Sequence, residues 1–511
     1  MIPEEMGTVP GGNSRFSRGL RGNLRQSRIC SPIVSNPRSQ SRKVPLNLES
    51  FRFAGRREER GQSSLRSALA CGLFLATVAT VFAERNPAPT PPMGWNSYDA
   101  YGLTIGETEF RDNVIAMGPL KQFGWSYAVI DEGWYMENPL GKDLAAHQYV
   151  FDKHGLLVPV ASRFPSAAGD AGFKPLADWV HGQGFKFGIH IVRGIPKPVV
   201  HDNLPIAGSR YRTADAADTS ETCPWDDGNY GIRDNAAGQA YYDSMLRLYA
   251  RWGVDFLKVD CISDHPYRIT EIRQIARAIA KTGRPIVLSL SPGPTALRHG
   301  AEIGKYAQMW RIADDHWDFW GDGARFGVRD AFDPLEKWAP FAKPGNWPDA
   351  DMFPWGWLAP HPGWGDPRQS RETQDEQRTE FTLWAFARSP MIVGANLTRL
   401  DDFTRSLLTN EEIVAVNQKG TDNHPVKDLP AGFDHVRVWQ ATEGGARTSA
   451  QAFALFNLGD KPVTLHFKWE QLGYRGKGDA RSLYDGAVLN STSPVEITLP
   501  AHGCGAYRVG D

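Results

Sequence analysis

Eight short β-rich runs, most of them separated by helical patterns, constrain this chain more than any other feature. They are Pro92–Trp95, Tyr127–Asp131, Lys186–Ile191, Asp255–Asp260, Ile286–Ser291, Met309–Asp315, Asp349–Met352 and Met391–Asn396. Residues 107–123, 239–252, 268–281 and 373–387 carry apolar side chains at helical spacing, as Tyr241, Met245, Leu248 and Trp252 show for the second of these segments. Gly124 and Gly253 stand where two of the helices would stop. Alternating strands and helices imply parallel strands joined by crossover helices. Eight such units in roughly 300 residues predict an α/β fold, a (β/α)8 TIM barrel. A doubly wound open sheet would want a glycine-rich phosphate turn after the first strand, and Met93-Gly94-Trp95-Asn96 is not one.

The two ends of the chain read differently. Residues 1–83 hold 13 basic and 5 acidic residues, with no apolar period before residue 60. Ser64-Leu65-Arg66 and the apolar run 68–83 follow, ending Val81-Phe82-Ala83. A positive flank, an apolar stretch and small residues before a cleavage point are the marks of a secretory signal. The expectation is a basic, disordered leader with a signal peptide over 1–83, a secreted or periplasmic product cut near Ala83, and no stable membrane span in the mature chain. The barrel is expected over 84–418. Past Gln418 the helical pattern stops, and residues 435–439, 451–457, 463–467 and 495–499 read as strands separated by turns such as Gly459-Asp460. That predicts a small antiparallel all-β C-terminal domain over 419–511. A net charge of -1 gives no field that would favour nucleic acid. Five cysteines show neither a disulfide framework nor a zinc-type spacing. The 17 tryptophans admit two readings, sugar-stacking surfaces or core packing.

In a barrel, the polar groups at the C-terminal strand ends line one pocket. Strand two ends in Asp131-Glu132, strand three runs through His190 to Arg193, strand four ends in Lys258-Val259-Asp260, and strand six is followed by Asp314-Asp315 after Arg311. Two carboxylates across a pocket suit glycoside cleavage: one attacks the anomeric carbon and the other protonates the leaving oxygen. A lone Asp at a strand end is more often a helix N-cap, but several together beside Lys258 and Arg311 weaken that reading.

These residues resemble glycoside hydrolase family 27, the α-galactosidase family, from about Pro91 to Gln418 and more loosely beyond. The carriers are the segments 91–97 (PPMGWNS), 127–131 (YAVID), 252–260 (WGVDFLKVD), Trp310-Arg311 and 347–352 (WPDADM). The resemblance implies a retaining exo-glycosidase with Asp260 as nucleophile and Asp315 as acid/base, Asp314 being the adjacent rival. It implies sugar contacts from Trp95 as an apolar wall and from Asp131, Lys258 and Arg311 to ring hydroxyls. It implies no cofactor and no metal, and an oligosaccharide, polysaccharide or glycoconjugate as substrate. The expected activity is release of a terminal α-D-galactosyl residue.

Departures from the family pattern open alternatives. The family usually carries Asp-Asp where this chain has Asp131-Glu132, and a glutamate is one methylene longer and would crowd a hexose C6. Relatives acting on β-L-arabinopyranosides use a glutamate there. Ser291-Pro292-Gly293 replaces a bulkier segment and leaves room for a 2-acetamido group, as in α-N-acetylgalactosaminidases. An isomalto-dextranase and a non-catalytic carbohydrate-binding protein are the other readings. His190 and Arg193 are unusual enough to be candidate substrate contacts, and Ser291 joins them. Cys261 directly follows Asp260, where the family cysteine is shifted, and Cys223 is a candidate partner for a disulfide bond. Asp349 and Asp351 are read as structural.

Overall fold

The computed structural model describes residues 86–140, 148–321, 326–359, 366–442, 450–476, 478–489 and 494–510. The leader and signal expected over 1–83 lie outside the described residues. Among the described residues, no helix is long and apolar enough to cross a membrane.

Eight parallel strands form the barrel: β1 (Met93–Asn96), β2 (Tyr127–Ile130), β3 (Lys186–Val192), β4 (Phe256–Asp260), β5 (Val287–Leu290), β6 (Met309–Arg311), β7 (Trp347–Asp349) and β8 (Met391–Val393). Their order is β7-β6-β5-β4-β3-β2-β1-β8, which is sequential and not doubly wound. Phe353 closes the ring just after β7: its N–H donates to Ile392 O at 2.8 Å and its carbonyl accepts from Gly394 N–H at 3.0 Å. Seven of the eight expected strands lie where the sequence pattern places them; β7 is Trp347–Asp349 and shares only Asp349 with the expected Asp349–Met352. Strand β6 is shorter than its sequence pattern, because Ala313-Asp314-Asp315 turns out of the ladder.

Strand alternation explains where the polar groups go. Tyr127, Val129, Phe256, Val287, Met309 and Trp347 form one buried apolar cluster. Two residues further along each strand, the same face carries Asp131, Lys258, Ser289, Arg311 and Asp349. The intervening residues, such as Ala128, Ile130, Leu257, Val259, Leu288 and Trp310, belong to the main core cluster outside. The barrel is therefore plugged by apolar side chains at one end and polar at the other.

The surrounding helices include α1 (Glu107–Ala116), α2 (Ala236–Trp252), α3 (Ile269–Thr282) and α4 (Gln374–Ala387). After α1 the chain tightens into a 3-10 turn, Gly118–Phe123, because Pro119 cannot continue the α-helical ladder. Gly124 and Gly253 are both left-handed, with φ of 102° and 92°, and end their helices as expected. Between β3 and α2 lies a small antiparallel sheet of Ile195–Pro196, Asn229–Ile232 and Ala217–Thr222, which the sequence pattern did not announce.

Beyond Lys419 the structure is antiparallel β. Strands β9 (Thr421–Val426), β10 (Val436–Thr442), β11 (Gln451–Asn457), Cys504–Val509, Ala480–Ser482 and Val488–Leu489 make one six-stranded sheet. Val463–Phe467 pairs with Val495–Leu499 as a second layer. Alternate residues of β10 and β11 face two cores: Val436, Val438, Phe453 and Leu455 pack within this β unit. Trp439, Ala441, Ala452, Ala454 and Phe456 join the barrel's core. Nine tryptophans lie less than 2% exposed, so the richness in this residue mostly serves packing.

Candidate active site

The polar end of the barrel opens into a cavity of about 750 Å³, lined from the ends of β2, β3, β4, β5 and β6 and from the segment after β7. This volume lies in the range of small-molecule sites.

Asp260 closes β4. Its carboxylate accepts from Cys261 N–H at 2.7 Å and from Ser291 Oγ at 3.2 Å. His190 Nε2 stands 3.7 Å away, on β3, whose register sets His190 beside Lys258. Burial would raise the Asp260 pKa, but His190, Lys258 and the Cys261 N–H outweigh it and hold the carboxyl below the usual range. Cys261 is joined to Cys223 by a disulfide bond. Its φ of 60° is an uncommon backbone state for a side-chain-bearing residue.

Asp131 ends β2 almost fully buried. It accepts from Asn96 Nδ2 at 2.6 Å and from Lys258 Nζ at 2.9 Å. Burial pushes its pKa up, yet Lys258 and His190 pull it well below normal. The same ion pair works the other way on Lys258: desolvation would lower it, but Asp131, Asp351 and Asp260 hold it above its ordinary value.

Glu132 faces the same cavity. Burial raises its pKa well above the usual range, and Asp226, Asp260 and Asp131 add to the rise. It shares a hydrogen bond with Asp226, which also accepts from Tyr149 Oη at 3.3 Å and from Gly228 N–H at 3.0 Å.

Asp315 lies across the cavity. Arg311 Nη2 donates to it at 3.3 Å and makes a closer pair, 2.8 Å, with Asp351. Its side chain is deep in the fold yet 51% exposed, because it opens into the cavity itself. Desolvation raises its pKa, Arg311 opposes this, and Asp351 and Asp260 add to the rise. Cavity water softens the desolvation, and a bound sugar ring that expelled this water would strengthen it. Asp314 also lines the cavity.

Two expected contacts fall outside. Trp95 is 0% exposed: its Nε1 donates to Ala395 O at 2.8 Å, and its ring packs on Phe110 and Tyr101. It belongs to the core behind β1, and Tyr98 of the same motif lines the cavity instead. Arg193 is also buried behind the site. It donates through Nη1 to Glu271 at 2.8 Å and through Nε to Cys261 O at 2.7 Å, which makes it an anchor for the loop after β4. The cavity does hold Asp131, Glu132, His190, Lys258, Asp260, Ser291, Arg311 and Asp315 together. Asp351, read as structural, lines the cavity as well and grips Arg311.

Sequence reasoning missed Tyr98, Asp226 and His265. The disulfide carries the signal for the latter two. It fixes the loop after Cys223 beside Asp260, so Trp225 reaches the cavity mouth with its ring 5.0 Å from that of His265.

Comparison with known proteins agrees with this geometry. The family model described as Alpha galactosidase A matches residues 225–419, and the Alpha galactosidase C-terminal beta sandwich domain matches 434–509. An α-galactosidase of Coffea arabica is 30% identical over 432 residues, covering 82% of this chain and 93% of that protein. An α-N-acetylgalactosaminidase of Gallus gallus is 27% identical over 66% of this chain and 72% of its own length. The solved structure of a β-L-arabinopyranosidase from Geobacillus stearothermophilus is 40% identical, with a TM-score of 0.77 over 83% of this chain and 97% of that one. A barrel with carboxylates at the ends of β2 and β4 and after β6, followed by a β-sandwich, and matched over nearly the full length of such relatives, places this chain in glycoside hydrolase family 27.

Proposed function

We propose that this protein is a retaining exo-glycosidase that releases terminal β-L-arabinopyranosyl residues in preference to α-D-galactosyl residues. Asp260, kept ionised by His190 and Lys258, attacks the anomeric carbon. Asp315, its pKa raised, gives its proton to the leaving oxygen and then activates the water that hydrolyses the glycosyl-enzyme. Asp131 and Lys258, already paired, take ring hydroxyls, and Arg311 takes another beside the acid/base.

The observation that carries the preference is Glu132. The two sugars share their ring hydroxyl configuration, but the arabinopyranoside lacks the hydroxymethyl carbon. Glu132 brings an extra methylene into the cavity, whose lining it joins beside Asp131. The 40% identity to a β-L-arabinopyranosidase supports the same preference. The second reading, an α-galactosidase, is favoured by curated relatives such as that of Coffea arabica.

Kinetics on 4-nitrophenyl β-L-arabinopyranoside, α-D-galactopyranoside and α-N-acetylgalactosaminide test this, with dextran assayed separately. The arabinoside is expected to lead the galactoside in kcat/KM by about tenfold or more, the usual effect of one methylene in a tight pocket. Glu132→Asp should narrow that ratio. A wild-type enzyme that prefers the galactoside, or a ratio indifferent to Glu132→Asp, sinks the preference. Proton NMR should show the first-formed product anomer retained. Export rests on the signal ending near Ala83, and N-terminal sequencing of the secreted product checks it.

A further inference from the structure

Three side chains from separate segments meet beside the cavity: His316 on the loop after β6, Glu372 just before α4, and Glu380 on α4. Their donor atoms all lie within 4.8 Å of one another. His316 Nε2 is 2.9 Å from Glu380 Oε1 and 3.9 Å from Glu372 Oε1, and all three side chains are 0% exposed.

The outer oxygens are already committed. Trp355 Nε1 donates to Glu380 Oε2 at 2.6 Å and to Glu372 Oε2 at 3.0 Å. No donor group reaches the inner Oε1 atoms or either imidazole nitrogen of His316, and the two glutamate carboxyl groups stand within hydrogen-bonding reach of each other. The imidazole is close to Glu380 yet makes no hydrogen bond to it. Among the described residues, no lysine or arginine forms an ion pair with either glutamate; His316 is their one ion-pair partner. Two buried carboxylates without a cation are costly.

We propose that His316 Nε2, Glu372 Oε1 and Glu380 Oε1 bind one divalent transition-metal ion, such as zinc or manganese. One imidazole and two carboxylates form a donor set that suits these ions. The Trp355 indole supplies the outer hydrogen bonds that orient such carboxylates. The ion pins the loop after β6 to α4. His316 N–H donates to Asp351 Oδ2 at 2.9 Å, and Asp351 grips Arg311, so the pinned loop is the one that carries Asp315. The site is a structural staple, and no step of glycoside cleavage passes through it. No local spacing reveals it, because its ligands lie 56 and 8 residues apart.

The full-length chain is stripped with a chelator, dialysed against about 10 μM zinc or manganese chloride, and counted for metal by atomic emission. Wild type should retain about one ion per chain. Glu380→Gln, nearly isosteric, and His316→Ala should each fall below about a tenth of an ion, with circular dichroism confirming a folded chain. His466→Ala, at an exposed histidine of the β-sandwich, should keep the ion. A folded wild type that retains neither metal overturns the proposal, since the glutamates then hold a proton instead. So does an ion that survives both ligand substitutions, because it is then bound elsewhere.

Discussion

The β4 side and the β6 side of the cavity hold the same kind of group under opposite conditions. Asp260 receives a backbone N–H, a serine hydroxyl and a nearby imidazole, and its side chain is 19% exposed. Asp315 receives one guanidinium at 3.3 Å, shared with a closer partner, and is 51% exposed to the cavity. The first is driven below the ordinary carboxylate pKa and the second above it. Two identical side chains are thereby shifted in opposite directions, Asp315 chiefly by burial and Asp260 by neighbours that outweigh burial, which is the ordering the proposed double displacement needs.

The sharpest way to break this pairing is Asp260→Ala. Loss of the attacking oxygen should cut kcat on every substrate by on the order of 10⁴-fold or more, as measured by steady-state kinetics. A variant with near-normal turnover would reassign the nucleophile. Asp315→Asn should cost on the order of 10²- to 10⁴-fold, and unequally. A nitrophenolate leaves without a proton, whereas a sugar alcohol does not. The loss should therefore be greater on a disaccharide than on the nitrophenyl glycoside. An equal loss on both, or a greater loss from Asp314→Asn, would move the acid/base away from Asp315.

The two sides also differ in how much the sequence disclosed. Strand β4 announces itself: an apolar alternation ends in Lys258-Val259-Asp260, and the period of two puts both polar residues on the inner face. The same patterning makes seven barrel strands legible, while β7 lies two to three residues earlier than its apparent run, at Trp347–Asp349. After β6 the pattern fails. Asp314, Asp315 and His316 lie on a turn, where no period says which carboxylate faces the sugar. The motif around Trp95 is legible but its direction is not: near a cavity an indole is as easily taken up by the core, as Trp95 is. Arg193 is hidden for a similar reason, since its partner Glu271 lies 78 residues away on α3. The length of Glu132 is legible, but the nearness of Asp226, which raises its pKa, depends on a disulfide-held loop with no strand or helix pattern.

A pH profile sharpens the comparison from the β4 side. The nucleophile must be ionised, so the acidic limb of kcat/KM reports its pKa in the free enzyme. His190 is a principal cause of the lowered Asp260 pKa, opposing burial together with Lys258 and the Cys261 N–H. Replacing His190 with a neutral group of similar size, as in His190→Asn, removes that pull and leaves desolvation less opposed. The Asp260 pKa then rises, and activity is lost at a higher pH as the solution is acidified. An acidic limb that stays in place would mean that Lys258 and the backbone donor suffice.

The smallest effect on chemistry is expected from Arg193, although it lies one residue beyond β3. Its guanidinium is 2% exposed and paired with Glu271, which also accepts from Tyr242 Oη at 2.6 Å. Arg193→Met removes the cation and leaves Glu271 buried and uncompensated, a change that typically costs about 3–5 kcal/mol. Urea unfolding should register that loss, while kcat/KM of the folded fraction should stay within about twofold of wild type. The double variant Arg193→Met/Glu271→Met should recover part of the stability, because the unpaired charge is gone. A substrate contact would behave otherwise. It would lower kcat/KM in the folded enzyme, and removing Glu271 would not restore it, because the lost interaction would lie in the cavity and not behind it.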